Sequence, residues 1–503
     1  MDRIRITLSI IGTLIFYWGF SEVTNRPLTE PKSQPNIVFF FVDDMGWQDT
    51  SVPFYVELTG LNKRYQTPNM ERLASQGMKF TQAYASAVCS PSRISLMTGI
   101  TAARHRVTNW TLRKGESPDE PNPVVQSPEW NVNGLSQEPG IPRTVHAKTL
   151  PMFLKEAGYK TIHIGKAHFG AKGTPGEDPL NLGFEVNIGG HAAGGPGSYL
   201  GIHDYSADWR SPGNHIWDIP DLDFYHGKEI YLTEALTREA LKEISQSIEE
   251  EKPFYLYMSH YAIHAPWETD ERYHKKYIDQ GLSKQEATYA AMIEGMDKSL
   301  GDILDHLQRL GVEENTIIVF MSDNGAHKQV PRNKPLRGYK LSPYEGGIRV
   351  PLLVKWPGVT GSGVVNNDYL IIEDIFPTFL EMAGLPEAAT TSIDGKSFVR
   401  QLKGKKVSQK RPLLWHYPNT YYNPPYSVVR KGDWKLIYHH VNQQLELFNL
   451  AKDIGEAKDL SAQESEKTRE MAELMTKLLK ETKAQMPTVK ATGKWVPYPN
   501  ELF

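Results

Sequence analysis

The sequence predicts an α/β fold: a large, mainly parallel or mixed sheet flanked by helices, followed by a smaller C-terminal α+β domain with an antiparallel sheet and a terminal helix. Short continuous apolar runs alternate with amphipathic stretches up to about residue 400, the pattern of strands buried on both faces between helices. Past that point the rhythm changes to hairpins and a charged amphipathic segment.

Strands are expected at Ile37 to Val42, Thr161 to Ile164, Phe254 to Met258, Thr316 to Met321 and Pro351 to Lys355. Each is a short apolar run bounded by polar or turn-forming residues. Helices fall between them. Thr67-Pro68 opens one that ends near Gly77, Thr149 opens another that ends at Gly158, and longer ones cover about Leu232 to Glu249 and Lys284 to Leu310. A further helix follows Asp374-Ile375-Phe376-Pro377-Thr378 and runs to Gly384. Hairpins are expected around Ser427 to Tyr438 and Leu445 to Leu450, and Ser461 to Met486 reads as one amphipathic helix. Two stretches, about 106–146 and 170–225, have little periodicity and much Gly, Pro, His and Trp. Loops of that length in a compact domain are usually functional or disordered, which makes them the place to expect selection of whatever the protein binds.

With 503 residues the chain has material for about two or three domains and ample apolar content to bury them. A formal net charge of -3 leaves no electrostatic footprint for nucleic acid, so no nucleic-acid partner is expected. Arg3 and Arg5, the apolar stretch Ile6 to Phe20, and the small residues Gly19 and Ser21 read as a secretory signal cleaved near Ser21. The stretch is shorter than the roughly 20 apolar residues of a spanning helix, which weighs against the alternative of an uncleaved anchor. The expected organisation is a signal peptide at 1–21, an α/β domain at 34–400 and a smaller C-terminal α+β domain at 401–503. A secreted or periplasmic protein without stable membrane insertion follows.

One cysteine, Cys89, is present, so intrachain disulfides and multi-thiolate metal sites are excluded. A lone cysteine is ordinarily inert packing. Its neighbours here are Ser90-Pro91-Ser92-Arg93 and then Ile94 to Gly99. Pro91 suits the first turn of a helix and Gly99 its C-terminal cap, which places Cys89 at a helix N-terminus, where unpaired backbone N–H groups favour anions.

In open parallel sheets the binding crevice lies beyond the carboxyl ends of the strands. Polar residues follow four of the predicted strands: Asp43-Asp44, Lys166 with His168, His264, and Asp323-Asn324. Each has a mundane reading, Asp44 as a helix cap, Asn324-Gly325 as a turn and His264 as a satisfied interior histidine.

Taken together with the Cys89 pentapeptide, these residues resemble the type I sulfatase family over roughly Pro35 to Leu460. The landmarks are Asn36-Ile37-Val38 leading to Asp43-Asp44-Met45-Gly46, Thr67-Pro68-Asn69, Cys89-Ser90-Pro91-Ser92-Arg93, Gly165-Lys166-Ala167-His168, Ser322-Asp323-Asn324-Gly325, and Tyr344-Glu345-Gly346-Gly347-Ile348-Arg349-Val350-Pro351. The resemblance implies an alkaline phosphatase-like fold and oxidation of Cys89 to formylglycine by a separate maturation enzyme. The hydrated aldehyde is then the nucleophile. By matching position it further implies that Asp43, Asp44, Asp323 and Asn324 are metal ligands, with an oxygen of matured Cys89 completing the site. All-oxygen donors suit one calcium ion per chain, with magnesium less suited because it prefers to keep several waters.

The same resemblance implies that Lys166 and Lys340 supply positive charge to the sulfuryl oxygens, that Arg93 holds the aldehyde hydrate, that His264 is the general acid and that His168 is the base for the second diol hydroxyl. Around Lys340 the run Gly338-Tyr339-Lys340-Leu341-Ser342-Pro343 departs from the small residues many relatives carry there. His327 reads equally as a substrate contact or a surface-turn residue.

The substrate class implied is a sulfated polysaccharide or its oligosaccharides. Trp415, Tyr417, Tyr421, Tyr422 and Tyr426 could stack on sugar rings or pack between domains. Arg332, Lys334 and Arg337 could guide a polyanion or remain solvated surface charge. Two other readings stay open: a phosphonate monoester or phosphodiester hydrolase of the same superfamily, and a non-catalytic carbohydrate-binding relative if Cys89 is not matured. The oligomeric state is not legible.

Overall fold

The computed structural model describes residues 34–328, 333–386, 393–408 and 411–503. The expected signal segment and Arg332 lie outside the described residues. No helix among the described residues is long and apolar enough to cross a membrane.

Eight strands form the main sheet: β1 (Asn36–Val42), β2 (Met78–Tyr84), β3 (Lys160–Gly165), β4 (Val186–Ile188), β5 (Phe254–Ser259), β6 (Thr316–Ser322), β7 (Arg349–Lys355) and β8 (Val364–Ile371). Their spatial order is β8-β2-β7-β6-β1-β5-β3-β4. Only β7 runs antiparallel to its neighbours; the pairs β6-β1, β1-β5, β5-β3, β3-β4 and β2-β8 are parallel. The expected mainly parallel, mixed sheet is therefore what forms.

Strand β1 lies at the centre because every residue in it can be buried. Ile37, Phe39 and Phe41 face one layer, Val38, Phe40 and Val42 the other, and all are fully inaccessible. This two-residue alternation serves two apolar cores at once, so the run needs no polar face. Each such side chain contributes about 1.5–3 kcal/mol on burial. The first layer contains the helices Cys89–Thr98, Leu150–Glu156 and Ile375–Met382; the second contains Pro68–Gln76, Leu232–Glu249 and Lys284–Arg309. The last of these starts at a capping box in which Ser283 and Glu286 satisfy each other's backbone N–H groups.

Strands β2 and β8 were not among the expected ones. Polar residues interrupt both, Lys79, Thr81 and Gln82 in β2 and Asn366, Asn367 and Asp368 in β8, and their pairing contains a register shift between Asn366 and Tyr369. They close one side of the sheet, where one strand edge is unpaired and polar residues are tolerated.

A second, four-stranded antiparallel sheet follows: β9 (Leu413–Tyr417), β10 (Tyr426–Lys431), β11 (Trp434–His439) and β12 (Gln444–Asn449), packed against the helix Ser465–Glu481. It grips the main sheet through buried polar contacts. Lys435 Nζ, fully buried, lies 2.9 Å from Glu345 Oε1 and 2.8 Å from Glu456 Oε1. Tyr84 Oη donates to Glu345 Oε2 at 2.6 Å, and Tyr426 Oη donates to the Leu341 carbonyl at 3.1 Å. The segment just after Lys340 is thereby fixed from behind by the second sheet.

Candidate active site

The strand order sets the site. Strands β6, β1, β5 and β3 are consecutive neighbours and parallel, so their carboxyl ends share one edge. That edge carries Asp323-Asn324, Asp43-Asp44, His264 and Lys166 with His168. Strand β2 points the same way and delivers Cys89 through a short turn, whereas β7 points the opposite way, so the Lys340 segment enters the edge before the strand begins.

Cys89 is the first residue of the helix Cys89–Thr98, which ends at Gly99 in the left-handed conformation (φ 70°). The placement expected from Pro91 and Gly99 is thus the one observed. The thiol is buried, and burial raises its pKa against the pull of Lys166 and Lys340. An unmodified thiol held protonated is a poor nucleophile.

Around it, each cation faces a carboxylate. Lys166 pairs with Asp43, and Lys340 Nζ lies 2.6 Å from Asp44 Oδ1. Arg93 donates from Nε and Nη2 to Asp323 Oδ2 at 3.0 and 2.8 Å, and from Nη1 to the Lys166 carbonyl and Ser259 Oγ at 3.0 and 2.7 Å. The guanidinium therefore ties β3, β5 and β6 together beneath Cys89. Burial raises the pKa of Asp43, with Asp323 adding to the rise and Lys166 opposing it; burial also pushes Asp44 upward, but Lys340 and His264 hold it well below the usual carboxylate range.

Three oxygens at this edge, Asp43 Oδ1, Asp44 Oδ2 and Asn324 Oδ1, are buried without a hydrogen-bond partner. Buried oxygens without donors are costly, and partnerless oxygens gathered at one sheet edge fit a hard cation. Candidate ligand atoms of Asp43, Asp44, Cys89 and His264 lie within 4.8 Å of one another. Asn324 joins them through Nδ2, which donates to Asp44 Oδ1 at 2.7 Å. Asp323 is more engaged than its position in the sequence suggests: Oδ1 accepts the Asp44 N–H at 3.2 Å while Oδ2 holds Arg93. A largely buried group able to bind a metal is present, made of two carboxylates, the Cys89 sulfur and the His264 imidazole.

The two histidines differ in which nitrogen is tied. His168 Nε2 lies 2.8 Å from the Thr111 carbonyl, so it carries the proton, and Nδ1 is left as a buried lone pair with no partner. Burial, and after it Lys166 and Arg93, hold His168 neutral. His264 shows the opposite tautomer. Its Nδ1 donates to the Ala265 carbonyl at 2.6 Å, leaving Nε2, 3.7 Å from Asp44 Oδ2, to exchange a proton with the cleft. Burial and Lys340 lower its pKa to about 3 against the opposing pull of Asp44.

Two consecutive glycines, missed in the sequence, pack on these rings. A Cβ at Gly194 would lie 2.3 Å from His168 Cε1, and one at Gly195 2.8 Å from His264 Nδ1. Either substitution must displace an imidazole. Gly195→Ala is expected to lower kcat by the order of a hundredfold with little change in KM, since a misplacement of about 1 Å at a reacting group costs that much. Steady-state kinetics within twofold of wild type would show the ring position to be unimportant.

A cleft of about 220 Å³ opens above Cys89, lined by Cys89, His168, His264, Lys340 and His327, with Trp110, Trp217, Tyr421, Tyr422 and Lys328 around it. Trp110 and Trp217 come from the two aperiodic stretches; only their composition hinted at them. Of the five aromatic residues considered for sugar contact, Tyr421 and Tyr422 reach the cleft. The other three form the joint between sheets: Trp415 Nε1 donates to the Ala85 carbonyl at 2.8 Å, and Tyr417 stacks on Tyr426 at 5.3 Å. Arg337 likewise turns to the second sheet, donating to the Glu456 carbonyl at 3.0 Å.

Comparison with known proteins agrees with this geometry. The Sulfatase family matches residues 35–385, and the family described as N-sulphoglucosamine sulphohydrolase, C-terminal, matches residues 340–485. A protein named Sulfatase from Formosa agariphila is 30% identical, covering 98% of this chain and 96% of its own. N-acetylgalactosamine-6-sulfatase of Mus musculus is 33% identical over 77% of this chain and 69% of its own. Among solved structures, Ps i-CgsB in complex with k-i-k-neocarrahexaose is 26% identical with a TM-score of 0.71, covering 93% of this chain and 96% of that one. The chain belongs to the sulfatase family and is a sulfuric ester hydrolase.

Proposed function

We propose that this enzyme hydrolyses sulfate esters of a carbohydrate, through a formylglycine made from Cys89 and with one bound calcium ion. The observation that carries the reading is the convergence of Cys89, two lysines, two oppositely oriented histidines and the three partnerless oxygens of Asp43, Asp44 and Asn324 on one sheet edge. The names of the relatives and of the saccharide-bound neighbour support a sugar substrate.

In this reading one hydroxyl of the hydrated aldehyde at position 89 gives its proton to the Asp43 carboxylate, whose proton affinity burial raises, as its oxygen attacks sulfur, and the bond from sulfur to the sugar oxygen breaks. His264 Nε2 delivers a proton to that oxygen, which leaves as the alcohol. The negative charge of a bound sulfate ester favours the protonated imidazole that this step requires. Lys166 and Lys340 stabilise the sulfuryl oxygens, and Arg93 fixes the Asp323 carboxylate and the base of the site. His168 Nδ1 then takes the proton of the remaining hydroxyl, the carbon–oxygen bond to sulfate breaks, and the aldehyde returns. Asp43, Asp44, Asp323, Asn324 and the matured side chain of Cys89 would hold the cation, which when bound adds fixed positive charge beside the sulfate. A separate maturation enzyme supplies the oxidation of Cys89, and the N-terminal segment supports export to a periplasmic or extracellular space.

Kinetics on a sulfate ester and the matching phosphodiester test the reading. A kcat/KM favouring the sulfate supports it; a preference for the phosphodiester or phosphonate monoester would replace it with the other hydrolase reading. Chelation is expected to abolish turnover and to lower the thermal midpoint, because a ligand present at a thousand times its Kd stabilises by about 4 kcal/mol. Calcium should restore both more fully than magnesium. A chelated enzyme with unchanged activity and melting would rule the cation out.

A further inference from the structure

The cations beneath the cleft are already matched: Lys166 with Asp43, Lys340 with Asp44 and Arg93 with Asp323. Lys328, also on the cleft lining, is different. Its ammonium lies 3.8 Å from the centroid of the Tyr422 ring, and the ionisable groups acting on it are the phenols of Tyr422 and Tyr339 rather than carboxylates. No Asp or Glu is among the described residues that line the cleft.

Tyr422 is itself held in an unusual way. It stands at φ 64° in a three-residue turn closed by the Asn423 N–H on the Tyr421 carbonyl at 2.6 Å, and it remains 43% exposed. A left-handed conformation is an outlier for a bulky side chain, and such strain, worth about 1–3 kcal/mol, persists where the surroundings enforce it and clusters at ligand clamps. The surroundings here do enforce it. Tyr417 Oη donates to the Tyr421 carbonyl at 2.8 Å, and Tyr421 packs edge-on to Trp110 at 5.5 Å. The turn therefore presents an aromatic face to the cleft mouth, with an ammonium on that face. Cation–π contact fixes the lysine without neutralising it.

We propose that Lys328, positioned by Tyr422, binds a second anionic group of the substrate, a sulfate ester or a carboxylate, while the scissile sulfate occupies the Cys89 end of the cleft. This rests on the carbohydrate sulfatase reading and narrows it to sugars that carry at least two negative groups. Such a substrate meets two cations on the cleft lining, Lys340 and Lys328, and no carboxylate among the described residues that line it. An exposed ammonium paired to an anion is worth up to about fivefold in affinity.

The test compares N-acetylgalactosamine 6-sulfate with its 4,6-disulfate, and with a disaccharide in which a uronate adjoins the 6-sulfated sugar, on wild type, Lys328→Gln and Lys328→Arg. Steady-state kinetics and calorimetric binding are both measured. Wild type should favour one of the two-anion sugars by about threefold to fivefold, mainly in KM, and the preferred arm identifies the second group as sulfate or carboxylate. Lys328→Gln should lose that preference and Lys328→Arg should keep most of it. A wild type that binds all three sugars equally, or a Lys328→Gln variant that keeps the preference, overturns the proposal. Because the binding ratio is read without turnover, an enzyme that binds with the expected preference but hydrolyses none of these sugars or an aryl sulfate refutes the sulfatase chemistry instead.

Discussion

Cys89→Ala protein is expected to fold and to show no turnover of any sulfate ester, a loss of at least about a thousandfold. Cys89 lies at the first position of its helix, at the floor of the cleft, with Lys166 and Lys340 acting on its sulfur. Removing one buried sulfur from a wall that is open to the cleft costs little packing, so the melting temperature should move far less than the rate. Cys89→Ser separates the steps further. A single hydroxyl can attack sulfur, but it has no second hydroxyl from which His168 could take a proton, so the enzyme should accumulate as a sulfated serine ester. Intact-protein mass spectrometry after incubation with substrate detects that adduct. Sustained turnover by either variant would remove position 89 from the chemistry.

The second large effect is expected at His264. With Nδ1 fixed on the Ala265 carbonyl, Nε2 is the nitrogen left to protonate a leaving group. A sugar alkoxide leaves badly without a proton, whereas an activated aryl oxide leaves well. His264→Ala should therefore lower kcat on sugar sulfates by about 10²–10⁴-fold, the usual range for general acid catalysis, and hurt an activated aryl sulfate far less. A plot of rate against leaving-group pKa should be steep in the variant and shallow in wild type. Equal losses on both substrate types would show that His264 acts by positioning or by metal contact, for which its 3.7 Å approach to Asp44 gives an alternative basis.

The parts of the fold legible in sequence were those in which one physical requirement acts alone. Strand β1 must be apolar on both faces, and the helix Lys284–Arg309 carries its own capping box, so both were readable. Strands β2 and β8 were not, because at that side of the sheet Lys79, Gln82 and Asn366–Asp368 satisfy the pairing as well as apolar residues would. The candidate site followed the same rule. Asp43, Lys166, His264 and Asp323 each follow a buried strand, so topology alone gathers them. Lys340 precedes β7, the strand that runs antiparallel in the main sheet, and its register was legible only from the run that follows it. Gly194, Gly195, Trp110, Trp217 and Lys328 lie on segments without periodicity, where position is set by contacts distant in sequence. For the aromatic cluster, residue type did not separate Tyr421 and Tyr422, which face the cleft, from Trp415, Tyr417 and Tyr426, which seal the joint.

The proposed chemistry depends on what position 89 becomes in the working enzyme. Tandem mass spectrometry of the peptide spanning Ser86 to Arg93, from active protein made in its native host, reads this directly, with aldehyde-reactive labelling as a second signal. The expected result is an aldehyde or its hydrate at position 89 in proportion to specific activity. Full activity in protein whose Cys89 is entirely an unmodified thiol would contradict the account.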